Sequence, residues 1–186
     1  MRTPKVTDNK IVFGPCRLSY VHVFEKYSPK DGMGEPKYMV TILIPKSEKA
    51  TIRAINEAIE NCRRKGITSK WGGSAPKKLA LPLQDGDEKE KDPDGAFADC
   101  YYINAKSDTR PGVIDRNRAP IIDEEDFYSG VWSDVSVTFF PYMVSGKCGI
   151  GCALNNLLKF KDDDRFGGKA SAESDFEGYD DDDDDL

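Results

Sequence analysis

Only one stretch of this 186-residue chain carries a helical period, and that restricts its fold more than any other feature. Ile52, Ile55, Ile59 and Cys62 recur on one face, after Ser47 as a candidate N-cap and Glu48 in the first turn. Arg63, Arg64 and Lys65 follow where cations suit the dipole, and Gly66 is a stop signal, so the pattern predicts one helix over about 47–65. The rest of the body reads with period two or as turns. Residues 11–23 are rich in β-formers, with Gly14-Pro15 placed to bend the strand. A turn at Ser28-Pro29-Lys30-Asp31-Gly32 leads to the strongest strand signal, residues 38–44, stopped by Pro45 and paired with the first as a hairpin. Residues 71–94 read as loop. Strands resume at 97–105, 113–114, 131–144 and about 148–160, where Gly149 and Gly151 allow bends. Antiparallel strands with one inserted helix and no βαβ alternation indicate a mainly β chain, either a small barrel or an α+β sheet.

Charge divides the chain in two. Residues 162–186 hold twelve acids and two bases, a net −10, which leaves residues 1–161 at +4 within a whole-chain −6. The first 161 residues are expected to form one domain. The rest ends in six aspartates, Asp180, Asp181, Asp182, Asp183, Asp184 and Asp185, then Leu186. Low apolar content and self-repulsion predict a disordered acidic tail. No apolar run approaches the ~20 residues of a membrane span, and no apolar signal region follows Met1, so a cytoplasmic protein is expected. Five scattered cysteines suggest reduced thiols, and with His22 the lone histidine no zinc site assembles, so neither a metal nor another cofactor is expected.

The body carries patterns suited to a polyanion. Alternation puts Tyr102, Asn104 and Lys106 on one strand face, which runs on toward Arg110, Arg116 and Arg118. Such a face can stack bases and hold phosphates. Val135, Val137 and Phe139 are expected inward, leaving Phe140 and Tyr142 as a second stacking pair. Lys70 and Trp71, beside Gly72-Gly73 and ahead of Lys77, form a lysine-rich loop whose indole could stack on a base or fold back over the barrel end.

These residues fall in longer motifs that resemble the tailed-phage single-stranded DNA-binding proteins, a family long catalogued as a domain of unknown function. The likeness runs through Gly34-Glu35-Pro36-Lys37-Tyr38, Lys70-Trp71-Gly72-Gly73 and Ile103-Asn104-Ala105-Lys106-Ser107. It continues through Thr109-Arg110-Pro111-Gly112-Val113-Ile114-Asp115-Arg116-Asn117, Phe140-Pro141-Tyr142 and Gly149-Ile150-Gly151-Cys152-Ala153. The resemblance implies an OB-fold-like, five-stranded antiparallel barrel that coats single strands in phage replication, recombination and repair, in the host bacterial cytoplasm. It implies a tail that regulates DNA access and recruits replication partners such as a polymerase, helicase or primase, and it admits homodimers. The family's contacts map onto Lys70, Trp71, Tyr102, Asn104, Lys106, Arg110 and Arg116; family tails often end in an aromatic residue, where this one has Leu186. By reach alone, 25 flexible residues span roughly 25–30 Å, against a body radius of gyration near ~15 Å.

Two other classes compete. Asp123-Glu124-Glu125-Asp126 could hold Mg²⁺ in a nuclease, but consecutive acids in one loop point in different directions, whereas two-metal sites draw acids together. An acidic chaperone binding basic partners accounts for the aspartates and leaves the aromatic and basic strand faces unexplained. No catalytic residue is assigned, and the expectation is a binding protein.

Overall fold

The computed structural model describes residues 1–30, 32 and 34–167. In chain order the elements are β1 (Lys5–Thr7), β2 (Lys10–Tyr27), β3 (Lys37–Pro45), α1 (Lys49–Ser69), β4 (Leu79–Ala80), β5 (Gln84–Asp85), β6 (Cys100–Ser107), β7 (Gly112–Ile114), β8 (Trp132–Val144) and β9 (Lys147–Lys161). Alternating apolar residues along the long strands need a common interior, and the chain supplies it by closing five of them on each other. β2 pairs antiparallel with β3 and β8, β3 with β6, and β8 with β9. A parallel pairing of Lys106 on β6 with Ala153 on β9 closes the ring. This is the five-stranded barrel with one helix that the sequence implies. The interior holds Ile11, Leu18, Val40, Ile42, Ile103, Val135, Val137, Phe139 and Leu157, all buried. The three residues expected inward on the strand from 131 are among them.

Local exceptions to period two have visible causes. The ladder between β2 and β8 shifts register between Phe13 and Cys16, the bend expected at Gly14-Pro15. A second shift, between Ser19 and His22 against β3, reverses which residues of β2 face out. The strand expected from 97 begins only at Cys100, because the chain turns at Asp99 (φ 56°) and Lys46 donates its backbone N–H to the Asp99 carbonyl at 2.8 Å. Phe97 is thereby placed on the side of Tyr102, opposite to strict alternation. Two short strands, β4 and β5, lie in the stretch read as loop.

The helix also departs from expectation. It runs four residues beyond position 65, Gly66 lies inside it, and Ser47 makes no side-chain cap; Glu48 takes the N-cap position. Gly66 serves for contact: a Cβ there would lie 2.5 Å from the Trp71 ring and 2.9 Å from Pro141. Trp71 folds back onto this notch and is 8% exposed.

The first residues of the acidic segment are held against the barrel. Tyr128 donates to Asp162 Oδ1 at 2.9 Å and the Trp132 indole to Asp163 Oδ2 at 2.6 Å. Arg17 donates to the Asp164 carbonyl at 2.7 Å and lies over the Phe166 ring, while the Phe166 N–H bonds to Ser129 O at 2.9 Å. Gly130 takes φ 113°, and any side chain there would strike Asp164 O. Asp180 to Asp185 and Leu186 lie outside the described residues.

Candidate nucleic-acid interface

Two clefts meet on the barrel wall formed by β2, β3, β6 and the β8–β9 hairpin, and Asn104 and Lys106 line both. The alternation of β6 sets this up: Ile103 and Ala105 are buried, so Asn104 and Lys106 face outward. Thr41, buried on the neighbouring strand, donates its hydroxyl to Asn104 Oδ1 at 2.7 Å and orients the amide. No carboxylate among the described residues pairs with Lys106.

The first cleft, ≈ 560 Å³, is walled by Phe140 and Tyr142 and edged by Lys37. Phe140 is opposite Gly151 and Tyr142 opposite Gly149 in the β8–β9 ladder. A Cβ on either glycine would come within 2.4 Å of the facing ring. These glycines, read in the sequence as bends, therefore let two aromatic rings lie down on the sheet. Phe140 remains 43% exposed. Lys37 is paired with Asp108 at 2.6 Å, and this ammonium holds the Asp108 carboxyl below the usual range.

The second cleft, ≈ 400 Å³, contains Tyr20, His22, Tyr27, Lys89, Phe97 and Tyr102. Phe97 meets Tyr102 edge-on at 5.2 Å and Tyr20 at 6.4 Å. Lys89 sits 4.9 Å from the Phe97 centroid and 5.7 Å from that of Tyr102, so a cation stands among the rings. His22 lies 5.0 Å from Tyr27, and partial burial pushes its imidazole pKa down. Together the clefts form one track of rings, amide and ammonium groups, the kit for stacking bases and neutralising phosphates. In five-stranded barrels of this connectivity the wall of the second and third barrel strands, here β3 and β6, with the loops joining the first two and last two strands, is the oligonucleotide-binding side.

Of the residues expected to bind, Tyr102, Asn104, Lys106, Phe140 and Tyr142 are brought together. Others are not. Trp71 gives its indole N–H to the Tyr142 carbonyl at 3.1 Å, so its ring supports the wall from behind and offers no face for stacking. Lys70 and Lys77 are exposed and line neither cleft. Arg110 covers the Phe24 ring at 5.1 Å in a separate hollow with Asp123 and Glu124. Arg116 stacks on Phe160, farther along β9. Tyr20, His22, Tyr27, Lys89 and Phe97 escape sequence reasoning. The β2 bulge reverses the parity that would flag Tyr20 and His22, and Lys89 comes from an irregular charged loop. Of the acids at 123–126, Asp123 accepts from the Glu125 N–H at 2.9 Å in its own turn, whereas Glu125 pairs with Arg165 of the docked segment.

Residues 9–186 match the family described as Enterobacter phage Enc34, ssDNA-binding protein. Putative protein p50 of Acyrthosiphon pisum secondary endosymbiont phage 1 is 34% identical over 176 residues, covering 88% of this chain and 91% of that protein. The single-stranded DNA-binding protein of bacteriophage Enc34, solved in complex with ssDNA, is 30% identical with a TM-score of 0.74 over 88% of this chain and 96% of that one. A bacteriophage T7 single-stranded DNA-binding protein, 13% identical, shares the fold with a TM-score of 0.59 over 87% of this chain and 96% of that one. By the span of the match and the identity of its relatives, the chain belongs to the Enc34 phage single-stranded DNA-binding protein family.

Proposed function

We propose that this protein binds single-stranded DNA without sequence preference along the track from Tyr20 and Tyr102 to Phe140 and Tyr142, coating and protecting strands during phage replication, recombination and repair. The observation that carries the reading is the sharing of Asn104 and Lys106 between two aromatic clefts, which makes one uninterrupted path. Rings accept any base face, whereas phosphates need only donors and charge, so sequence tolerance follows from the chemistry. Duplex DNA, with its bases stacked inside, leaves the rings without partners. The protein acts by binding and performs no catalysis, in the cytoplasm of the host cell.

The acidic segment competes for the same track and recruits basic surfaces of replication proteins. Its root at 162–166 is docked through Arg17, Tyr128 and Trp132. Nineteen residues remain beyond 167. The test is a fluorescence titration of labelled oligonucleotides with the full chain and with a truncation after 167, which spares the docked root. Expected are tighter single-strand binding by the truncated protein, weak duplex binding and no cleavage with Mg²⁺. Equal affinity of the two proteins rules out competition by the tail, and sequence-restricted binding rules out the stacking track.

A further inference from the structure

A second basic surface lies farther along β9, outside the track. The outward residues of β9 run from Gly151 and Ala153 in the first cleft to Asn156, Leu158 and Phe160, about 30 Å along the strand. Around the far end, Arg2 and Arg116 approach the same Phe160 ring, their guanidinium carbons 5.2 and 5.3 Å from its centroid. Lys5 and Arg118 line the adjoining cleft of ≈ 350 Å³ with Asn156. Arg2 is paired with Asp134. No carboxylate among the described residues pairs with Lys5, Arg116 or Arg118. The acid nearest in sequence, Asp115, is already used: its carboxylate accepts from the N–H groups of Asn117 (2.8 Å) and Ala119 (2.9 Å). That turn holds Arg118 in the left-handed region (φ 68°), and both arginines are exposed.

Three cations without a carboxylate partner among the described residues, Lys5 from β1 and Arg116 and Arg118 from the turn after β7, converge beside one cleft and repel one another in the free protein. Such an arrangement favours a polyanion with charges spaced along a chain. No exposed aromatic ring lines this cleft among the described residues, and the neighbouring Phe160 ring already carries two guanidiniums. We propose that this surface is a phosphate-backbone site for the segment of single-stranded nucleic acid that leaves the track along β9. It would add electrostatic contacts without base contacts and lengthen the occupied stretch. The proposal rests on the DNA-binding reading of the track and extends it to a face that reading does not need.

The experiment compares oligonucleotides of about 6 and about 16 nucleotides, within the range of OB-fold site sizes, over a salt series. It uses the full chain and the Lys5→Gln/Arg118→Asn variant; Asn tolerates the left-handed backbone at 118. For the longer strand the slope of log affinity against log salt should fall by about 1.4 in the variant, two contacts at about 0.7 each. The shorter strand should bind both proteins alike, which also reports an intact fold. An unchanged slope on the longer strand, or an equal loss on both lengths, overturns the proposal while leaving the track in place. Tighter binding of the short strand by the variant would assign the patch to the chain's own acidic segment instead. Failure of the unaltered protein to bind either strand removes the track and this site together.

Discussion

Trp71 separates two accounts of this surface, and the Trp71→Phe substitution decides between them. If the indole stacks on bases, removing it costs affinity on the scale of a stacking contact, about 1–3 kcal/mol, or roughly 5- to 150-fold. The structure instead buries the ring in the notch over Gly66 and uses its N–H on the Tyr142 carbonyl. Phenylalanine keeps an aromatic ring there but loses the hydrogen bond, worth about 1 kcal/mol. The smaller ring also leaves a void costing about 1 kcal/mol more. The expected loss is therefore about 2 kcal/mol of folding stability, or a drop of about 4–8 °C in Tm for a chain of this size. Urea unfolding followed by circular dichroism measures the first quantity, and an oligonucleotide titration at fixed salt measures affinity. Affinity should stay within about twofold. An unchanged unfolding midpoint with a tenfold loss of binding would show that the ring faces DNA and that the burial argument is wrong.

Three further outcomes are expected. Tyr102→Ala should weaken single-strand binding by about 1–3 kcal/mol, and wild-type affinity in the titration would exclude Tyr102 from the track. Burial holds the His22 pKa below its ordinary 6.5, so the unfolded chain takes up this proton first as pH falls. His22 therefore costs stability as pH drops below 6.5, while its protonation adds a cation to the second cleft. Binding should tighten as pH falls below 6.5, and His22→Asn should flatten that dependence. The Trp132 hydrogen bond, foremost, holds the Asp163 carboxyl below its ordinary 3.8, so docking of the segment root is complete above that value and lost as pH falls through the lower, folded one. Trp132 fluorescence in the Trp71→Phe background should report this release in acid, and Asp163→Asn should abolish the transition.

Much of the architecture was legible because burial imposes alternation. Val135, Val137, Phe139, Ile103 and Ala105 announce the inward faces, and once β6 is placed, Asn104 and Lys106 must point out. What escaped depends on non-local contacts. Gly66 looks like a helix stop, and only the packing of Trp71 and Pro141 explains a glycine inside the helix. Gly149 and Gly151 look like bends until Phe140 and Tyr142 are seen across the ladder. A bulge reverses parity without a distinctive residue, which hid Tyr20 and His22. Charge arithmetic located the acidic segment but not its root, because Asp162 and Asp163 take their partners from side chains 31 to 34 positions away.

The barrel's ladders are unequal. Four run over many residue pairs, whereas β6 meets β9 in the one pairing of Lys106 with Ala153. That junction is the natural fracture line of the cylinder, and it passes through the floor of the first cleft, where Asn104 and Lys106 stand on one side and Gly151 and Ala153 on the other. A strand lying across it acts as a clasp, joining the two halves of the wall with contacts the protein does not make for itself. Amide hydrogens of β6 and β9 should therefore gain protection from exchange when the track is filled, ahead of those in the β2–β3 hairpin.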